Sequence, residues 1–135
     1  MSNHEIADAL RELQTTIGEN NEAKGFHDDA PSRADFIPGE RGDQAFEAAL
    51  GHYHGNLHML IVSEAVEAHE EIRHGRQAHE HYYSDGKPEG VPSEIADGII
   101  RGFDYFHRNG IDGASAILEK IAYNTTRPYK HGKKF

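Results

Sequence analysis

Residues 57–71, LHMLIVSEAVEAHEE, hold the longest apolar run of the chain, Met59-Leu60-Ile61-Val62, followed at once by acids at 64, 67, 70 and 71. With Phe46 and Leu50 upstream, Leu57, Leu60, Ile61, Ala65 and Ala68 keep helical spacing. One helix is therefore expected from an N-cap at Asp43 to about Gly75. Gly51 and Gly55 each weaken its first half by roughly 1 kcal/mol relative to Ala, which leaves room for a bend or break there. At about 100° per residue, Glu64, Glu67 and Glu71 fall in the same arc as Leu57 and Leu60, the stripe this helix must bury. Solvated acids do not belong on a burying face, so these acids need a partner.

Outward from this stretch the other signals are also helical. Ile6, Leu10, Leu13 and Ile17 mark one face of a first helix that fades at Lys24-Gly25. Residues 25–42, with Asp28-Asp29, Pro31 and Pro38-Gly39, read as a long loop. Residues 76–91 read as a polar connection. Pro92-Ser93-Glu94 opens a third helix with Ser93 as N-cap, whose buried face is read as Ile95, Ile99, Phe103 and Phe106, ending at Asn109-Gly110. A fourth opens at Asp112, carries Ala114, Ile117, Leu118 and Ile121, and ends before Arg127-Pro128. No long strand-like alternation competes. The expected fold is all-α, a single domain over residues 1–135 of four helices, with a flexible basic tail at about 128–135. So narrow a core favours packing against a second copy.

Composition narrows the function. A net charge of −9 over 135 residues, with 14 Lys+Arg against 23 Asp+Glu, argues against general nucleic-acid binding. No stretch is apolar enough to suggest a membrane span or a secretory signal, and the absence of cysteine excludes disulfides and thiolate metal sites. A cytoplasmic protein is expected, in the host cytoplasm if the source is a phage. The charge is uneven: Lys120, Arg127, Lys130, Lys133 and Lys134 put five basic residues and no acid into the last 16 positions. An acidic body with a basic end suits a small polyanion held between metal ions and Lys/Arg.

Glu64-x-x-Glu67 and Glu94-x-x-Asp97 each set two carboxylates on one helix face, with Cβ atoms roughly 5–6 Å apart. Two antiparallel helices would bring these pairs together. Four crowded carboxylates repel and raise one another's pKa, and a hard divalent cation such as Mg²⁺ relieves that conflict. Two other classes compete. Glu71-x-x-His74 and Asp104-x-x-His107 imitate the motifs of a di-iron carboxylate bundle, and an acidic helical module could simply bind a partner without catalysis. Most of the 11 histidines read as surface residues.

The acidic pairs, together with Leu60-Ile61-Val62-Ser63-Glu64, Gly86-Lys87-Pro88-Glu89-Gly90-Val91-Pro92-Ser93-Glu94, residues 120–132 (KIAYNTTRPYKHG) and Asn20 to Phe26, resemble the small bacterial and phage MazG-like nucleotide pyrophosphohydrolases. These belong to the all-α NTP pyrophosphatase superfamily that also contains dimeric dUTPases. The resemblance runs over roughly residues 6 to 135. It departs at His27, where family members commonly carry an aromatic after Gly-Phe. It implies a Mg²⁺-dependent cut, with Mn²⁺ as substitute, between the α and β phosphates of a nucleoside triphosphate by a dimer or dimer of dimers. Glu64, Glu67, Glu94 and Asp97 would be the catalytic metal ligands. Lys120, Asn124, Arg127 and Lys130 would meet the phosphates; Lys120 and Asn124, four apart, share a helix face, and Arg127 can grip phosphate bidentately. Asn20, Lys24, Phe26 and His27 are the candidates for the base, although Phe26 reads equally well as a core plug.

Overall fold

The computed structural model describes residues 2–132. Four α-helices carry the architecture: α1 (Asn3–Ala23), α2 (Glu40–Arg73), α3 (Val91–Arg108) and α4 (Gly113–Thr125). The expected polar connection between α2 and α3 contains a short antiparallel hairpin, β1 (Tyr82–Ser84) with β2 (Lys87–Glu89), turning through Asp85-Gly86. The protein is all-α apart from this hairpin, and among the described residues no helix is long and apolar enough to cross a membrane.

The helix ends follow local chemistry, with two corrections to the expected caps. Ser2 and Glu5 form a capping box on α1, and Gly25 leaves the helix at φ +79°. Helix α2 begins at Glu40 behind Gly39, three residues before the expected cap; Asp43 instead takes an ion pair from Arg33 at 2.5 Å, which folds the α1–α2 loop back onto the helix. It then runs unbroken past Gly51 and Gly55, so neither glycine interrupts it. Ser93 does not cap α3 either. Gly90 does, at φ +101°, where a Cβ would stand 2.4 Å from the Glu80 carbonyl oxygen, and Pro92 sits in the first turn. Asp112 caps α4 as expected, accepting from the Ser115 backbone N–H at 3.1 Å. It also accepts from Arg11 at 2.9 Å, and these donors hold its carboxyl well below the usual carboxylate range.

Helix α3 is the centre of the molecule, packed against α2 on one side and α1 on the other, with α4 laid against α1 and α3. Pairings along α2 and α3 run in opposite directions: Glu64 meets Gly98 and Arg101, His58 meets Tyr105, and Tyr53 meets Arg108. The two helices are therefore antiparallel, as the acidic pairs require. On the other side a Cβ at Gly18 would lie 2.0 Å from the His107 ring, so α1 approaches α3 through a position with no side chain. Ala7, Phe103 and Ala114 are buried in this α1–α3–α4 core.

The apolar face read for α3 is only half right. Phe103 is buried, but Ile95 and Ile99 are 49% and 54% exposed, while Glu94 and Asp104 are each only 5% exposed. Met59, Val62 and Val66 on α2 are exposed as well. Of the expected flexible tail, Tyr129–Gly132 forms a 3-10 turn; Lys133 and Lys134 lie outside the described residues.

Candidate metal centre

Three of the four expected acids converge. Glu64 from α2 and Glu94 and Asp97 from α3 each offer a carboxylate oxygen, all within 4.8 Å of one another. Glu94 and Asp97 share a face because they are three apart near the start of α3, and α3 packs on α2 with Gly98 beside Glu64, where an added Cβ would stand 3.5 Å from the Glu64 Cβ. Glu64 and Glu94 are buried and Asp97 half-buried. Glu67 is exposed and stands outside this group, although its charge still reaches Glu94.

The electrostatics are those of an under-neutralised site. Burial pushes the Glu94 carboxyl up, and Glu67, Asp97 and Glu64 push it further in the same direction, against a partial offset from Lys87. The ion pairs of the region go to the neighbours: Glu64 accepts from Arg101 Nε at 2.5 Å and Glu89 from Lys87 Nζ at 3.1 Å. Oxygen-only donors, convergent and short of positive charge, match a hard divalent cation. Among the described residues this is the one group of three or more metal-ligating side chains brought within such a distance. The alternative motifs are placed elsewhere. Glu71 accepts from the Tyr82 hydroxyl at 3.2 Å, and Asp104 is taken up by His27 and Arg108.

A cleft of about 410 Å³ runs from this centre along α3. Asp97 and Arg101 line it near the acids, Leu57 and Leu60 form an apolar wall, and Asn21 and Phe26 come from the exit of α1. Its far end is a polar cluster. His27 Nε2 and Asp104 are 2.8 Å apart, Arg108 donates to the same carboxylate and to the Tyr53 hydroxyl, and the Asn21 amide adds a smaller favourable effect on Asp104. Burial alone would raise the Asp104 carboxyl, but these donors outweigh it and hold it below its ordinary value.

Against known proteins the comparison is empty. The chain matches no family model, no curated protein and no solved structure.

The other expected site residues separate into two sets. Phe26 lines the cleft while 65% exposed, which places it at the surface rather than in the core. His27 lies behind it, held by Asp104. Asn20 and Lys24 are exposed and do not line the cleft; the asparagine that does is Asn21. It continues the spacing of Ile6, Leu10 and Ile17, so the periodicity of α1 carried that signal. Lys120, Asn124, Arg127 and Lys130 are exposed, and none lines the cleft of their own chain. Lys120 Nζ sits 5.3 Å from the centre of the Tyr123 ring. Arg101 and Arg108 escaped notice as site residues, and Asp104 was read only within the imitation di-iron motif. With Glu94 and Asp97 they recur every three or four residues, one charged stripe facing α2 and the cleft.

Proposed function

We propose that this chain is a divalent-metal-dependent nucleoside triphosphate pyrophosphohydrolase of the MazG-like type, acting on the cytoplasmic nucleotide pool. Water attacks the α–β phosphoanhydride, and nucleoside monophosphate and pyrophosphate leave. The observation that carries this reading is the convergence of Glu64, Glu94 and Asp97 beside a nucleoside-sized cleft that Asp97 lines.

Glu64, Glu94 and Asp97 would hold Mg²⁺, or Mn²⁺ in its place, with Glu67 within reach of a second position. A cation there supplies Lewis acidity toward phosphate oxygen and lowers the pKa of the attacking water. The chain's own residues do the rest. Phe26, Leu57 and Leu60 offer apolar surface to a base, and Asn21 offers an amide to its edge. Lys120, Asn124, Arg127 and Lys130 supply phosphate contacts from a second copy of the chain. Two features support that assembly: these four residues are exposed and do not line their own cleft, and Met59, Val62, Val66, Ile95 and Ile99 leave an apolar surface on α2 and α3 beside the acids. A homodimer, or a dimer of such dimers, covers it.

Pyrophosphate release from a panel of ribo- and deoxyribonucleoside triphosphates tests the reading. Turnover is expected with Mg²⁺ or Mn²⁺ and to vanish in chelator. Glu64→Gln, Glu94→Gln and Asp97→Asn each lose about a hundredfold or more, while helical circular dichroism is retained. Inertness toward the whole panel, or full activity in any two of these variants, overturns it.

A further inference from the structure

We propose that Arg101 binds the α-phosphate of the nucleotide, the one phosphate that stays with the monophosphate product; the proposal rests on reading the cleft as a nucleotide site. Arg101 lies four residues beyond Asp97 on the same face of α3 and lines the cleft beside it. It therefore stands where the acidic centre gives way to the apolar wall of Leu57 and Leu60. A nucleoside lying along that wall with its phosphates toward the acids places its first phosphate at this junction. The segment of α3 from Asp97 to Arg108 spans about 16 Å, so the two ends of the cleft are well separated.

The two arginines of the cleft differ in what remains free to bind. Arg108 is only 10% exposed in its side chain, and its donors go to Asp104, to Tyr53 and to the Phe26 carbonyl at 3.4 Å. Arg101 is 42% exposed, and its one ion pair among the described residues runs through Nε to Glu64. The guanidinium carries further N–H donors on its terminal nitrogens, in a fork whose geometry suits two phosphate oxygens. A divalent cation sharing Glu64 would draw that carboxylate's charge away from Arg101, and phosphate would replace what the arginine loses. Nucleotide and cation would then strengthen one another through a single side chain.

Calorimetry on the full chain with Mg²⁺ tests this without turnover, using dUMP, dCMP, dAMP and dGMP against the matching nucleosides, which lack only the phosphate. Wild type is expected to bind at least one monophosphate more tightly than its nucleoside. Arg101→Gln should lose about tenfold or more of the monophosphate affinity and keep the nucleoside affinity. Arg101→Lys, which retains charge without the fork, should fall between, and KM should rise in both. An unchanged preference for monophosphate in Arg101→Gln, or in Arg101→Lys should the first variant fail to fold, overturns the proposal and leaves Arg101 as a structural partner of Glu64. A wild type that releases pyrophosphate yet shows no such preference overturns this proposal alone. A wild type that neither binds nor hydrolyses any nucleotide overturns the reading of the site itself.

Discussion

Helix α3 buries two carboxylates to the same depth and treats them oppositely. Glu94 and Asp104 are each 5% exposed, ten residues apart on one helix. Around Glu94 stand Glu64, Glu67 and Asp97, with only a partial offset from Lys87, and its carboxyl is pushed up. Around Asp104 stand His27, Arg108 and Asn21, and its carboxyl is held down. Burial penalises charge at both places, and only the company differs. The Asp104 end is complete within the chain and ties the α1–α2 loop, α2 and α3 together. The Glu94 end is left short of positive charge, which suits the divalent cation proposed for it.

The largest test breaks the closed end. Asp104→Asn removes the counter-charge of the nearly buried Arg108 and one partner of His27, and should cost about 3–5 kcal/mol in urea unfolding at neutral pH. The wild-type contribution has a definite pH window. Because the folded carboxyl lies below its unfolded value, the stabilisation is present above that unfolded value and is lost as pH falls through the folded one. A loss below about 1 kcal/mol would show that this cluster is no tie at all.

The open end gives the next effect, with the opposite logic. Raising Mg²⁺ to a hundredfold over its dissociation constant should stabilise wild type by about 2.7 kcal/mol, seen as a rise in Tm, and leave Glu94→Gln far less responsive. An equal rise in both proteins would move the cation elsewhere. The smallest effect comes in chelator. The raised Glu94 carboxyl means that its favourable contribution exists below the unfolded value and disappears as pH rises through the folded one. At pH 7 Glu94→Gln should therefore be more stable than wild type by about 1 kcal/mol, a Tm rise of roughly 2–6 °C. A fall in Tm would mean that Glu94 has found a partner in the metal-free chain.

The two ends were not equally readable beforehand. The acids at 64, 94 and 97 stand out because motif spacing and helix geometry are local properties, and antiparallel packing of α2 on α3 was all they needed. Glu67 shares their spacing yet is exposed and stands outside the group, so spacing alone does not decide which acids converge. The Asp104 cluster joins residues 27, 53, 104 and 108, and no local pattern links the end of α1 to the end of α3. Even so, the charged stripe from Glu94 to Arg108 was visible, hidden by the expectation that Ile95 and Ile99 face inward. Those isoleucines are exposed in one chain, so apolar periodicity pointed to a surface that this chain alone leaves uncovered. The hairpin escaped because three-residue strands are too short to show alternation.

The contact between Gly18 and His107 carries a consequence for the width of the cleft. One turn beyond Gly18, α1 delivers Asn21 and then Phe26 to the cleft, so the gap between α1 and α3 works as a caliper. Any side chain at position 18 would meet the imidazole and prise the jaws apart. Neither residue lines the cleft. The bore of the cleft, and with it, under the proposed function, the choice between a one-ring and a two-ring base, is thus open to adjustment by substitutions that alter no residue lining it.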